Sequence, residues 1–254
     1  MSARVLAITN QKGGVGKTTT SINLAASLAL AGRRVLLVDL DPQGNATMGS
    51  GVDKRKLQRT VYQELLGTSD ASAAIVKGST GFDLLPANRE LAGAEVELID
   101  LPQRETRLQS ALGSVADRYD FILLDCPPAL NLLTVNGLCA AHAVMIPMQC
   151  EYYALEGLSD LVQTIKKVRV SLNPDLEIEG LLRTMYDPRN TLAQQVSEQL
   201  QKHFGDKVYR TVIPRNVRLA EAPSHGIPVI ALDKQSKGAL AYLALAGEML
   251  SKAA

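Results

Sequence analysis

Two lysines share one glycine-rich segment, Gln11-Lys12-Gly13-Gly14-Val15-Gly16-Lys17-Thr18-Thr19, and their spacing is that of phosphate chemistry. In a P-loop, backbone N–H groups wrap the phosphates, a lysine reaches the outer ones, and the next hydroxyl holds Mg²⁺. Lys17 and Thr18 fit those two roles, with Gly13, Gly14, Val15, Gly16 and Thr19 completing the cradle. Lys12 is surplus to that pattern. It has no evident place beside its own chain's nucleotide, so it is expected to point toward a partner's. Gln11 stands where the general motif has glycine, which suits the deviant form K-G-G-x-G-K-[ST]. An incidental glycine turn before a helix would explain neither the second lysine nor the threonine.

Three acids at the ends of apolar runs form the second group. Asp39 and Asp41, in Asp39-Leu40-Asp41-Pro42-Gln43-Gly44-Asn45, lie where a strand gives way to a turn, and Asp125 ends Leu123-Leu124-Asp125-Cys126-Pro127-Pro128 in the form of a Walker B aspartate. Such carboxylates can orient water or bind Mg²⁺ directly or through water. An isolated strand-end aspartate is more often a loop cap. The accompanying P-loop reverses that weighting.

These groups need strands that end together. Val5 to Thr9, Arg34 to Asp39, Phe82 to Pro86, Phe121 to Asp125 and Ala143 to Pro147 read as short buried strands. Helical stretches are expected from Thr18 to Ala31, with Gly32 as the stop, and roughly over Arg104–Ala116, Asn131–Ala140, Glu156–Val170 and Thr191–His203. Alternation of strands and helices predicts a doubly wound, mainly parallel α/β sheet with helices on both faces, its ligands beyond the carboxyl ends of the strands. The glycine loop between the first strand and first helix adds helix N–H groups to the anion site.

Composition sets bounds. A chain of 254 residues, 46% hydrophobic, can bury one substantial core, and residues 1–254 are read as a single domain. No apolar run reaches membrane-spanning length and the first residues lack a signal-peptide pattern, so a cytoplasmic protein is expected. Cys126, Cys139 and Cys150 sit in apolar surroundings and read as buried free thiols. A net charge of +1 means that any nucleic-acid binding must come from a local patch. His142, His203 and His225 are scattered and carry no metal pattern.

The P-loop segment, the Asp39–Asn45 segment, Asp125-Cys126-Pro127-Pro128, Gln149-Cys150-Glu151-Tyr152-Tyr153-Ala154-Leu155-Glu156-Gly157 and the run from Ile213 to Gly226 together resemble the ParA/Soj chromosome-partition ATPases, a deviant Walker A group within the ParA/MinD superfamily. The similarity covers nearly the whole chain. It implies a Mg²⁺-dependent ATPase whose ATP-bound form is a face-to-face homodimer, with Lys12 of each subunit reaching the other's phosphates. It implies catalysis by Lys12, Lys17 and Asp41, and metal binding by Thr18, Asp41 and, through water, Asp125. Asp39 would support the metal shell. Glu151 would approach the ribose across the dimer, and Pro214, Arg215 and Asn216 would line the adenine pocket. The resemblance further implies sequence-independent binding of double-stranded DNA, with Arg189, Arg218 and Arg215 as candidates and Lys202, Lys234 and Lys237 as additions. Release would follow hydrolysis stimulated by a ParB-type centromere-binding protein, giving a nucleoid-associated location. An N-terminal operator-binding extension is not expected, since the first strand starts at Val5.

Two rival readings fit less well. A membrane-recruited relative needs a basic amphipathic tail, whereas Gly238 to Lys252 is nearly uncharged and reads as a core-packing helix, so no stable membrane binding is expected. An iron–sulfur ATPase needs a cysteine pair from each subunit, and Cys126 beside Asp125 is the only suggestive position.

Overall fold

The computed structural model describes residues 3–252. Eight strands form one sheet: β1 Arg4–Ile8, β2 Val35–Asp39, β3 Val76–Lys77, β4 Asp83–Leu85, β5 Phe121–Asp125, β6 Ala143–Gln149, β7 Glu177–Tyr186 and β8 Val208–Pro214. Their order across the sheet is β3-β4-β2-β5-β1-β6-β7-β8. Every neighbouring pair is parallel except the short edge pair β3/β4. The expected doubly wound α/β fold is therefore the observed one. β2 and β5 are buried at every position because helices cover both faces, which is why their sequences are unbroken apolar runs. In register, Ile8 lies beside Asp125 and Asp39 beside Asp125, so the P-loop and both acid-bearing ends emerge at one edge.

Two apolar layers cover the two faces. One centres on Leu36, Leu124, Ile146 and the helices Val61–Leu66, Leu132–Ala140 and Ala154–Ser171. The other centres on Leu37, Leu123, Met145 and the helices α1, Lys17–Leu30, and Lys237–Lys252. The C-terminal helix packs into the core as expected, with Tyr242 Oη 3.0 Å from Thr20 Oγ1 on α1.

β7 and β8 were not anticipated, nor were β3 and several short helices. Gly180 sits mid-strand in β7, where it would ordinarily weaken a strand. Tyr209 of β8 explains it: a Cβ at Gly180 would lie 2.7 Å from that ring. The helix expected over Arg104–Ala116 is confined to Arg107–Gly113, followed by a 3₁₀ turn at Ala116–Arg118. The helix expected from Glu156 starts earlier, at Ala154, and runs to Ser171.

Candidate functional site

The loop between β1 and α1 takes its shape from two glycines and one asparagine. Gly14 (φ 72°) and Gly16 (φ 90°) occupy the left-handed region, which side chains oppose. Asn10 fixes the entry: its Oδ1 accepts from Lys12 N (3.0 Å), and its Nδ2 donates to Pro147 O of β6 (2.9 Å). Within that loop the two lysines diverge. Lys17 is buried and its Nζ donates to the Lys12 carbonyl (3.0 Å). Burial holds its pKa below the ordinary lysine value, with Asp125 and Asp41 opposing the shift. Lys12 is exposed, and its ammonium pairs with Glu151 of the same chain. In the single chain, therefore, Glu151 faces the surplus lysine.

The acids surround the start of α1. Asp125 accepts from Thr18 Oγ1 (2.8 Å) and Ser21 Oγ (2.9 Å), so the expected metal ligands Thr18 and Asp125 are adjacent. Burial, with the nearby Asp39 charge, pushes the Asp125 carboxyl well above the usual carboxylate range, and the two hydroxyls oppose that shift. Asp39 is fully buried and spends its oxygens on its own loop. It accepts from Asp41 N (3.1 Å), Thr47 N (2.8 Å) and Thr47 Oγ1 (2.7 Å). Thr47 lies on α2, Asn45–Gly49, and its hydroxyl also accepts from Ala87 N (2.9 Å). This network shapes the turn that carries Asp41, whose own Oδ1 accepts from Gln43 N (2.9 Å). These bonds give Asp39 a loop-ordering role beside Asp125.

Beside the loop lies a largely apolar cavity of about 180 Å³, lined among others by Gly16, Met185, Pro214, Arg215, Asn216 and Tyr242. The expected base-contacting residues do converge on one space. Asn216 Oδ1 is itself buried, near Gly238, without a hydrogen-bond partner among the described residues. Sequence reasoning missed the wall formed by the end of β7. Thr184 Oγ1 donates to the Val15 carbonyl (2.7 Å), and Met185, a non-glycine residue at φ 49°, lines the cavity. Backbone strain of that kind persists where surroundings enforce it and clusters at ligand sites.

Of the candidate DNA residues, Arg215 lines the cavity and lies close enough to Asp187, the partner of Arg189, for its charge to act on that carboxyl, while Arg218 pairs with Asp233 beside Lys234. Arg189, after β7, is clamped by Asp187 through Nε (3.0 Å) and Nη2 (2.8 Å), which holds the Asp187 carboxyl down at about 2. Arg218, after β8, pairs with Glu221 (2.8 Å) and Asp233 (3.5 Å). Arg215, Lys202, Lys234 and Lys237 are exposed. His142 is structural, its Nδ1 accepting from Val5 N (2.9 Å). Cys126, Cys139 and Cys150 are buried free thiols. Among the described residues, no group of three or more His, Cys, Asp or Glu forms a metal cluster, and no helix is long and apolar enough to cross a membrane.

Comparison with known proteins bears on this geometry. The AAA domain family matches residues 3–178. The sporulation initiation inhibitor protein Soj of Bacillus subtilis is 56% identical over 248 residues, covering 97% of this chain and 98% of that one. The chromosome partitioning protein ParA of Caulobacter vibrioides is 52% identical, covering 98% and 94%. Among solved structures, a Mycobacterium smegmatis protein described as cobyrinic acid a,c-diamide synthase, with bound ADP and magnesium, has a TM-score of 0.87 at 43% identity, covering 98% and 94%. A putative plasmid partition protein from Borrelia burgdorferi bound to AMPPNP has a TM-score of 0.84 at 26% identity, covering 98% and 99%. A two-lysine P-loop, the acids gathered at its helix and near full-length identity to Soj and ParA proteins thus converge: the chain belongs to the ParA/Soj family of chromosome-partitioning ATPases.

Proposed function

We propose that this chain is a DNA-partition ATPase in which ATP drives two copies into a face-to-face dimer, that the dimer binds double-stranded DNA without sequence preference, and that hydrolysis stimulated by a ParB-type partner releases it. The observation that carries the reading is the divergence of Lys17, turned into its own loop, from Lys12, turned out to the surface. A Cβ at Gly13 would meet nothing within 4 Å in the single chain, so glycine there serves no internal packing need and leaves room for close approach by a second copy.

The residues fit ATP and Mg²⁺. Gly14 and Gly16 free backbone N–H groups for phosphates, the largely apolar cavity suits a flat base, and Thr18 with Asp125 offers the oxygen ligands that Mg²⁺ prefers. Bound there, Mg²⁺ would neutralise phosphate charge. The chain's own groups do the rest. Lys17 holds the outer phosphates, Asp41 orients the attacking water, and water adds to the terminal phosphorus as the bond to the ADP oxygen breaks, giving ADP and phosphate. Phosphoryl transfer needs mainly positioning and charge stabilisation, so Lys12 supplied across the dimer would act as an arginine finger does. A lone subunit should then hydrolyse poorly. Arg189 and Arg218, with Arg215, Lys202, Lys234 and Lys237, would contact phosphates rather than bases.

The M. smegmatis neighbour, described as a diamide synthase, offers a second reading, an amidating enzyme. The same assay separates the two. ATPase rate is measured with and without unrelated duplex DNA and a ParB-type protein; synergistic stimulation is expected, and a rate indifferent to both would count against partition. Lys12→Gln should keep ATP binding through Lys17 and lose hydrolysis, whereas Lys17→Ala should lose both. Normal turnover by Lys12→Gln would remove the cross-subunit role.

A further inference from the structure

We propose that the loop from Asp53 to Arg59, together with Arg89, is a second phosphate-contacting surface for double-stranded DNA, on the opposite flank of the catalytic loop from Arg189. It rests on the DNA-binding reading above and adds a surface to it. Lys54, Arg55, Lys56, Arg59 and Arg89 set five cations against three neighbouring carboxylates, Asp53, Glu90 and the buried Glu64, on which the Arg59 charge acts. Asp53 is occupied by Arg55, through Nε (2.8 Å) and Nη2 (3.1 Å). Among the described residues no carboxylate pairs with Lys54, Lys56, Arg59 or Arg89. Arg189 and Arg218, by contrast, each have an acid clamp that DNA would have to displace. Of the cations beside the catalytic loop, Arg55 alone would need such an exchange.

Their placement is set by the sheet. The loop follows β2 and α2, and Arg89 follows β4, so both leave the same edge of the sheet as the P-loop. In the strand order, β4 and β2 lie on one side of β1 while β7, which precedes Arg189, lies on the other; the segment after Arg218 crosses back, bringing Gly226 against Gly51. Lys54, Arg55, Leu57, Asn88, Arg89 and Glu90 line a cavity of about 380 Å³. Lys54 also ties the surface to the catalytic turn. Its Nζ donates to the Gln43 carbonyl, and its stem lies so close that a Cβ at Gly44 would be 2.8 Å from Lys54 Cδ. Contact on this flank would therefore press on the segment that carries Asp41.

The chemistry favours a nucleic-acid backbone over a protein segment. Protein interfaces are anchored by buried aromatic or large apolar side chains. None of the large exposed apolar residues belongs to positions 53–59 or 88–90. Phosphate contact asks only for cations on an accessible surface.

The test uses the full ATP-loaded chain, two unrelated duplexes and a salt series, with the double variant Lys56→Glu/Arg59→Glu and the single variant Arg89→Glu. Lys54 is left intact because it touches the catalytic turn. Each lost contact should flatten the log–log salt slope by roughly 0.9 and weaken binding about tenfold near 0.1 M salt, equally for both sequences. Basal ATPase and ATP-dependent dimerisation should be unchanged, and Lys56→Arg/Arg59→Lys should bind as the parent does. Parent-like affinity and slope in the Glu variants would overturn the proposal. So would intact DNA binding with lost stimulation by a ParB-type protein, which would assign the surface to an acidic protein segment. If the parent chain itself failed to bind DNA with ATP, the DNA-binding reading would fall, a different result from failure of this flank alone.

Discussion

A single methyl-for-hydroxyl exchange at Thr47 probes how the catalytic turn is held. Thr47 is fully buried, and its hydroxyl both donates to Asp39 (2.7 Å) and accepts from Ala87 N (2.9 Å). Thr47→Val keeps the branched shape and removes both bonds. The Ala87 N–H is then left unpaired, at a cost of about 1–3 kcal/mol, and Asp39 loses a hydrogen bond to a charged group worth about 1.5–3 kcal/mol. The two combine to about 2.5–6 kcal/mol, and for a chain of this size each kcal/mol lowers Tm by about 2–4 °C. Urea unfolding and thermal scans should show that loss. The same change frees the Asp41 turn, since Asp39 also accepts from Asp41 N. Steady-state ATPase should then lose kcat with little change in KM, because Lys17 and the cavity are untouched. Thr47→Ser should recover most of both. A stability loss below about 1 kcal/mol would refute the assignment of these two bonds, and an unaltered kcat would refute the link to Asp41.

Asp41→Ala should hold the ATP-bound state, since the phosphate cradle and Lys12 remain; size-exclusion chromatography with ATP and Mg²⁺ should show a stable dimer, and a monomeric profile would count against the sandwich. Gly226→Ala should destabilise by about 1–2 kcal/mol from its left-handed backbone alone, and by more because the new Cβ would lie 3.0 Å from Gly51 Cα; thermal scans test this. Burial pushes the Cys139 and Cys150 thiols up to about 11 and raises Cys126 further, so the folded chain keeps protons that the unfolded chain releases above about 9. Stability should fall as pH rises through that window, and a thiol reagent at pH 8 should label the native protein slowly and the unfolded protein fast.

The central strands were legible because burial on both faces leaves an uninterrupted apolar record. β7 lacked that record. It carries Arg183, a buried cation whose guanidinium donates to Ser197 Oγ (2.8 Å), Tyr209 O (2.7 Å) and Arg210 O (3.2 Å), and Glu179, whose carboxylate pairs with Arg4. Charges held by distant partners mimic a surface segment in sequence. The same limit applied to the site. Lys12, Lys17 and Thr18 sit in a local motif and could be read, whereas Thr184 reaches Val15 across 169 positions and Thr47 braces the loop after β4, forty residues on at Ala87. Nothing local to those threonines marks them. The acid clamps on Arg189 and Arg218 are local, two and three residues away, and were open to reading from the sequence.

The Lys12–Glu151 pair bears on why a lone subunit would be slow. Both side chains are about half exposed, 47% and 49%, and an ion pair in that setting contributes about 0–1 kcal/mol. Breaking it is a small cost beside the contacts a dimer interface can form. It therefore cannot serve as a strong brake on the ATP-bound dimer. On the proposed reading the barrier in a single subunit comes from what is missing at the phosphates. Lys17 is engaged by the loop that Asn10 and Thr184 brace, and Lys12 sits on the outer side of that loop. On the proposed reading Lys12, lying at the surface against Glu151, would exchange that carboxylate for phosphate when a second nucleotide-bearing face arrives.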